Sequence, residues 1–174
     1  MTRLMIISDM HLGHKNIHKF RKQFCTAEEH HEFIFEMLAI NVQKRDSLIL
    51  LGDIAFDRHW LGKIASIKCT KKLLICGNHD TENGIKMRDL VRSYDDVMSL
   101  HSRRNYWFSH CPIHPQEMRE KKGNIHGHLH KNEVGDYLPS IDGNSDIFCR
   151  DERYLNACVE HTNYKPISFA DLTG

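Results

Sequence analysis

Three dense apolar runs punctuate the first half of the chain, and each ends in a short polar string. "TRLMII" (2–7) runs into Ser8-Asp9, "DSLILLGD" ends in Gly52-Asp53, and "KKLLICGNHD" ends in Asn78-His79-Asp80. Short apolar runs bounded by turn formers read as buried strands. Residues 8–24 are polar and basic, which predicts a long loop with a short helix in it. Thr26 and Glu29 have the T-x-x-E spacing of a capping box. They open an amphipathic helix predicted to about Gln43, with Phe33, Ile34, Met37, Leu38 and Asn41 on one face. "RHWLGKIASI" reads as a second, shorter helix. The order strand, helix, strand, helix, strand predicts a parallel α/β sheet over the first 80 residues.

The pattern then changes. "IKMRDLVRSY" reads as a helix, and "DDVMSLHSRRNYWFSH" as two strands joined around Ser102–Asn105. "GNIHGHLH" predicts a strand and a loop. "KNEVGDYLPSIDGNSD" is rich in loop formers, and "RYLNACVE" and "KPISFADL" are strand-like. The second half is therefore expected to be more antiparallel than the first.

Composition narrows the class. At 174 residues, 40% hydrophobic and 27% charged, the chain reads as one soluble globular domain over 1–174. A net charge of +1 excludes a polycationic nucleic-acid binder and leaves only a local basic patch for such a partner. No run approaches the roughly 18 apolar residues of a membrane span. "MTRLMIISDMH" lacks the pattern of a secretory signal, so a cytoplasmic location is expected. None of the six cysteines forms a C-x-x-C pair, which predicts free thiols, several of them buried, and no structural zinc site. Histidine stands out, with 14 residues.

The polar strings form a series. Asp9 and His11 follow the first run, Asp53 the second, Asn78 and His79 the third, His110 follows "YWFS", and His128 and His130 follow "NIHG". In open α/β sheets, sites collect beyond the carboxyl ends of the strands. Asp, His and Asn are oxygen and nitrogen donors suited to divalent ions such as manganese, iron or zinc. D-x-H, and likewise G-H-x-H, would set both side chains on one side of an extended backbone. Asp53 has two oxygens with which to bridge two cations, and glycines at 52, 77 and 127 let the chain turn tightly there. Taken singly, His110 is an ordinary histidine, Asp53 a helix cap and Asn78 a turn residue. It is the series that points to a metal centre. His18, His30 and His31 fall outside it, the last two as solvated helix positions.

D-x-H (Asp9, His11), G-D (Asp53), G-N-H-D (Gly77–Asp80), a lone His110 and G-H-x-H (Gly127–His130) occur in the order of the calcineurin-like metallophosphoesterase superfamily. "SDMHLGHKNI", "LGDIAF" and "NYKPIS" resemble its small, cap-less bacterial and phage members. The resemblance implies two mixed β-sheets packed face to face and flanked by helices, a four-layer α/β/β/α sandwich. It implies that Asp9, His11 and His130 hold one metal, that Asn78, His110 and His128 hold a second, and that Asp53 bridges them. Manganese is the first expectation, with iron, zinc or nickel as alternatives. His79 would act on the substrate as a general acid, and Asp80 would orient either His79 or a metal-ligating histidine. Two metals roughly 3.5–4 Å apart clamp a phosphoryl group and generate a nucleophile from water.

The substrate would be a small phosphorylated molecule, nucleotide-like if the basic loop faces the metals. His14 and Asn16 are the leading contacts, because the resembling subgroup shares G-H-x-N-I. Lys15, Lys19, Arg21, Lys22, Arg103 and Arg104 are further basic candidates, and Arg58 and His59 are placed at the rim. The chain has no room for a large capping domain, so an open site is expected, which favours a phosphodiesterase. A nucleotide phosphomonoesterase is the alternative. A non-catalytic scaffold of the same fold is a third reading, which predicts eroded ligands; this chain keeps all seven. The sequence says nothing about oligomeric state.

Overall fold

A computed structural model describes residues 2–139 and 145–174. The described elements run β1 (Leu4–Ile7), α1 (Ala27–Asn41), β2 (Ser47–Leu50), α2 (Arg58–Ser66), β3 (Lys71–Ile75), α3 (Met87–Ser93) and β4 (Asp96–Met98). They continue with β5 (Leu100–Arg103), β6 (Tyr106–Ser109), β7 (Gly123–His126), β8 (Gly135–Pro139), β9 (Asp146–Arg150), β10 (Tyr154–Asn156), β11 (Ile167–Ser168) and α4 (Phe169–Thr173). Short 3₁₀ turns occupy Ile17–Lys19 and Pro115–Met118. No described helix is long and apolar enough to cross a membrane.

Two mixed sheets form the body. In the first, β1, β2, β3 and β4 run parallel and β11 pairs antiparallel with β1. In the second, β10, β7 and β6 run parallel and β5 pairs antiparallel with β6. The apolar runs are dense because both faces of the first sheet are covered. Leu4, Ile6, Ile49, Leu51, Leu73 and Ile75 pack toward Phe108 and Ile125 of the second sheet and Ala157 just past β10. The alternate residues Met5, Ile7, Leu48, Leu50 and Leu74 pack against Ile34 and Leu38 of α1, Trp60, Leu61 and Ile64 of α2 and Leu90 of α3. This is the two-residue period of a strand read on its two sides.

Several elements depart from expectation. The face of α1 that is buried carries Ala27, His30, His31, Ile34 and Leu38, while Phe33 is exposed. The stripe is rotated because His30 and His31 find buried partners, so they are not solvated positions. The stretch 95–110 holds three strands: β4 completes the first sheet, and the chain crosses at Ser99 into β5 and the second. The region expected to be loop, 131–146, contains β8, which pairs with β9 as a two-stranded arm; residues 140–144 of that stretch lie outside the described residues. The final strand-like run is a two-residue strand followed by α4, capped by Ser168. All six cysteines are free, but only Cys158 is buried.

Candidate metal centre

Register puts the polar strings side by side. Ile7, Leu50 and Leu74 form one row across β1, β2 and β3, so the residues that follow leave the sheet at one edge. Phe108 pairs with Ile125 in the second sheet, which brings His110 and the 127–130 turn to the same end. Neither the D-x-H nor the G-H-x-H segment is extended there. Asp9, His11, Asp53, His128 and His130 all have positive φ, between 50° and 69°. Such conformations cost non-glycine residues of order 1–3 kcal/mol each and cluster at functional sites. Backbone bonds from Asp9 to Gly52, His11 to Asp53 and Leu12 to Ile54 hold the two loops together. Gly127 is required by close approach rather than by a turn: an added Cβ would overlap Ser8 Oγ and Asp9 Oδ2.

The donor atoms converge in two groups that meet at Asp53. In the first, His11 Nε2 lies 3.6 Å and His130 Nε2 3.9 Å from Asp9 Oδ1. In the second, His110 Nε2 lies 2.9 Å from Asn78 Oδ1 and 3.2 Å from His128 Nδ1. Asp53 Oδ2 is 4.0 Å from His11 Nε2 and 3.4 Å from His110 Nε2, so one carboxylate oxygen faces both groups. The thiol of Cys111 is also within reach of His110 and His128. Burial and the nearby carboxylates push that thiol's pKa up, which disfavours a thiolate ligand.

The electrostatics suit a cation. Burial opposes ionisation of Asp9, but His11, His110, Ser8 and the His128 N–H hold its pKa well below the usual carboxylate range. Asp53 is likewise kept ionised against burial by His110. Burial lowers the pKa of His11 and keeps its ring neutral. Burial alone would do the same to His110, but Asp53, Asp9 and the Leu51 carbonyl lift it to about 9. The carboxylates that favour a proton at His110 also attract a divalent cation. Asp9 Oδ1 and His11 Nε2 are both buried without a hydrogen-bond partner. Two buried ligand-type atoms 3.6 Å apart and without a hydrogen-bond partner, in an oxygen and nitrogen donor set, fit a divalent ion.

A buried network behind these side chains was not foreseen. Ser8 Oγ–H, the His128 N–H and the Cys158 thiol all donate to Asp9 Oδ2, leaving Oδ1 free. His110 Nδ1–H donates to the Leu51 carbonyl at 2.7 Å, which presents Nε2 to the centre. Glu160 Oε1 accepts from His130 Nδ1 at 3.0 Å and from Arg21 Nε at 2.9 Å. Arg21 also donates to the carbonyls of Asp9 and Met10 and meets His30 Nε2 at 2.8 Å. His30 in turn contacts His31, which accepts from the Gly13 N–H. Glu160 ends an apolar run, "NACVE", as Asp9 and Asp53 do, and that signal could have found it. Among the described residues Asp80 bonds no histidine ring. It accepts from the backbone N–H groups of Asp53, Ile54 and Gly77 and thereby sets the Asp53 loop.

His79 stands at the rim, with Nδ1 2.9 Å from Glu82 Oε1 but not hydrogen-bonded to it, so Glu82 is a carboxylate neighbour that a protonated ring would meet. A cleft of about 530 Å³ beside the centre is lined by His11, His14, Lys15, Asn16, Phe56 and His79, among others. The expected neighbours His14 and Asn16 are thus in place, with Lys15. Other basic candidates are not. Arg21 is buried under the centre, Arg58 turns to the Gly84 carbonyl and Asp89, and His59 is absent from the cleft wall. Lys19 and Lys22 are exposed outside it. Arg103 and Arg104 sit at the β5–β6 turn, the opposite end of β6 from His110, where Arg104 lies over Phe169.

The sequence profile of the calcineurin-like phosphoesterases matches residues 2–171. The uncharacterized protein MJ1445 of Methanocaldococcus jannaschii is 27% identical over 172 residues, covering 97% of this chain and 88% of that protein. Among solved structures, AQ665 from Aquifex aeolicus, a protein of unknown function, superposes with a TM-score of 0.69 at 25% identity, over 98% of this chain and 97% of its own. The Pseudomonas putida nuclease MPE superposes with a TM-score of 0.50 at 21% identity, over 74% and 62%, which shows a shared fold.

Proposed function

Because the chain belongs to the calcineurin-like phosphoesterase family, we propose that it hydrolyses phosphodiesters of the nucleotide type at a pair of divalent cations, manganese first among the candidates. The observation that carries this reading is the position of Asp53, whose carboxylate faces both donor groups at once. Asp9, His11 and His130 would hold one cation, Asn78, His110 and His128 the other, and Asp53 both. The chemistry that such a pair supplies is neutralisation of charge on the phosphoryl oxygens and a nucleophile from water near neutral pH.

The chain's own residues do the rest. Glu160 and the Leu51 carbonyl hold the His130 and His110 rings by their far nitrogens, so each presents one defined nitrogen. Asp80 fixes the backbone of Asp53, and Arg21 ties the Asp9 loop to Glu160. His79, partly exposed and close to the Glu82 carboxylate, would hand a proton to the departing oxygen. The cleft beside it leaves room for a second substituent on phosphorus, which favours a diester over a monoester.

The test is to strip the protein of metal, restore it with manganese, and compare an aryl phosphodiester with the matching monoester. Faster turnover of the diester is expected. Preference for the monoester would overturn the diesterase reading, and no hydrolysis of either with two metals bound would favour a scaffold.

A further inference from the structure

Two clefts meet over the donor cluster. The larger, on the His79 side, is joined by one of about 410 Å³ on the His130 side, and His11 and His14 line both. Each lies in the size range of ligand pockets, about 300–1,000 Å³. The second cleft is walled by Phe20, His130, Lys131 and Asn132. Phe20 is 71% exposed, the most exposed large apolar side chain among the described residues. It is nevertheless held in place. Ile17 and Arg21 on either side of it are buried, its N–H bonds the Ile17 carbonyl at 3.0 Å, and its ring meets His14 edge-on at 6.1 Å. A rigid backbone therefore presents a bare aromatic face in the wall of a cleft next to a cation site.

We propose that Phe20 is the stacking platform for a nucleobase, and that the substrate straddles His11 and His14 with its phosphoryl group over the donor cluster and a nucleoside in the His130-side cleft. The inference rests on the phosphoesterase reading above and names the half of the substrate that keeps the phosphate. His79 lines the other cleft and not this one. The leaving alcohol therefore occupies the His79 side. In the reaction the bond from a water oxygen to phosphorus forms, the bond from phosphorus to the leaving oxygen breaks, and a proton of the water ends on that oxygen. The product left against Phe20 is a nucleoside monophosphate, with Lys131 and Asn132 as polar neighbours. A planar heteroaromatic base suits an aromatic face because every base has one, whereas a sugar or alkyl group gains little from it.

The experiment uses manganese-loaded protein and two probes, adenosine 5′-monophosphate and ribose 5-phosphate, the second with a hydroxyl in place of the base. Calorimetric titration of the wild type should show the nucleotide bound roughly tenfold more tightly or better, in line with aromatic stacking. In Phe20→Ala that ratio should collapse toward one. Phe20→Trp, which keeps a ring face, should retain it. Phe20 is exposed, so neither change disturbs the core. A wild-type ratio near one, or a ratio unchanged in Phe20→Ala, overturns the proposal. Turnover of the aryl diester is measured in parallel. Turnover without base discrimination sinks the platform alone, while Phe20-dependent nucleotide binding without turnover sinks the diesterase reading and supports the platform.

Discussion

Replacing Glu160 by glutamine probes the centre at its most connected point. The carboxylate is buried, and Oε1 alone accepts from His130 Nδ1 at 3.0 Å and from Arg21 Nε at 2.9 Å, with Arg21 Nη2 as an ion-pair contact at 2.8 Å. Glutamine keeps an acceptor of the same shape. It removes the charge, and it puts an NH₂ group where Oε2 stands, an atom with no partner. Two costs follow. Arg21 loses its buried counter-charge, and removing one partner of such a pair costs about 3–5 kcal/mol, at the lower end here because an acceptor remains. His130 loses the carboxylate that orients it, which for metal-ligating histidines costs about 10- to 100-fold in affinity, or about 1.4–2.8 kcal/mol. Only the group containing His130 should feel this second cost. His110 takes its orientation from the carbonyl of Leu51, 59 residues before it in the chain. Calorimetric titration of the metal-free protein with manganese should therefore resolve one weakened and one nearly unchanged site in Glu160→Gln, with urea unfolding reporting the stability loss separately. Equal weakening of both sites, or of neither, would refute the reasoning.

Three further outcomes follow from the same geometry. His79→Ala should keep its metal content and slow turnover by about 10²-fold or more, as for a lost general acid; loss of metal in that variant, read by elemental analysis, would make His79 a ligand. Asp53→Asn should weaken both sites together in the manganese titration, and a variant that lost a single ion would count against bridging. The acid limb of folding should depend on Glu160. Burial opposes its ionisation, but His130 and Arg21 hold its pKa below the ordinary 4.5. Its stabilising contribution is complete above that value and disappears as pH falls through the lower folded pKa. Unfolding curves collected against pH should be steep there in the wild type and flatter in Glu160→Gln.

The residues at strand ends were legible because each interrupts an apolar run, and a parallel sheet delivers such interruptions to one edge. Asp9, Asp53, Asn78, His110 and the 128–130 pair were readable as a series on that ground, though none of them singly. The backbone at Asp9 and His11 was not. Alternation predicts an extended D-x-H, whereas positive φ at both residues winds it against the Gly52–Ile54 segment. Basic residues were the least legible. Nothing local separates Arg21, buried beneath the centre, from Lys19 and Lys22, which stay in solvent. Arg58, His59, Arg103 and Arg104 share the charge that suggested a phosphate site, but their elements carry them elsewhere. His30 and His31 sit on a helix where charged and polar neighbours suggest solvent, and only the partners that meet them reverse that.

By itself the sequence determined the strand ends, the donor types that arrive there and the α/β order of the first half. These follow from short-range periodicity, which a chain carries whatever it later packs against. Tertiary structure decided which polar side chains are buried with partners. It set Asp80 on the Asp53 loop, Glu82 beside His79 and Glu160 behind His130. The physical reason lies in the cost of burying a charge, which is met only by a partner of the right kind in the right place. For Arg21 that partner is Glu160, 139 residues along the chain. No pattern within either segment could announce it.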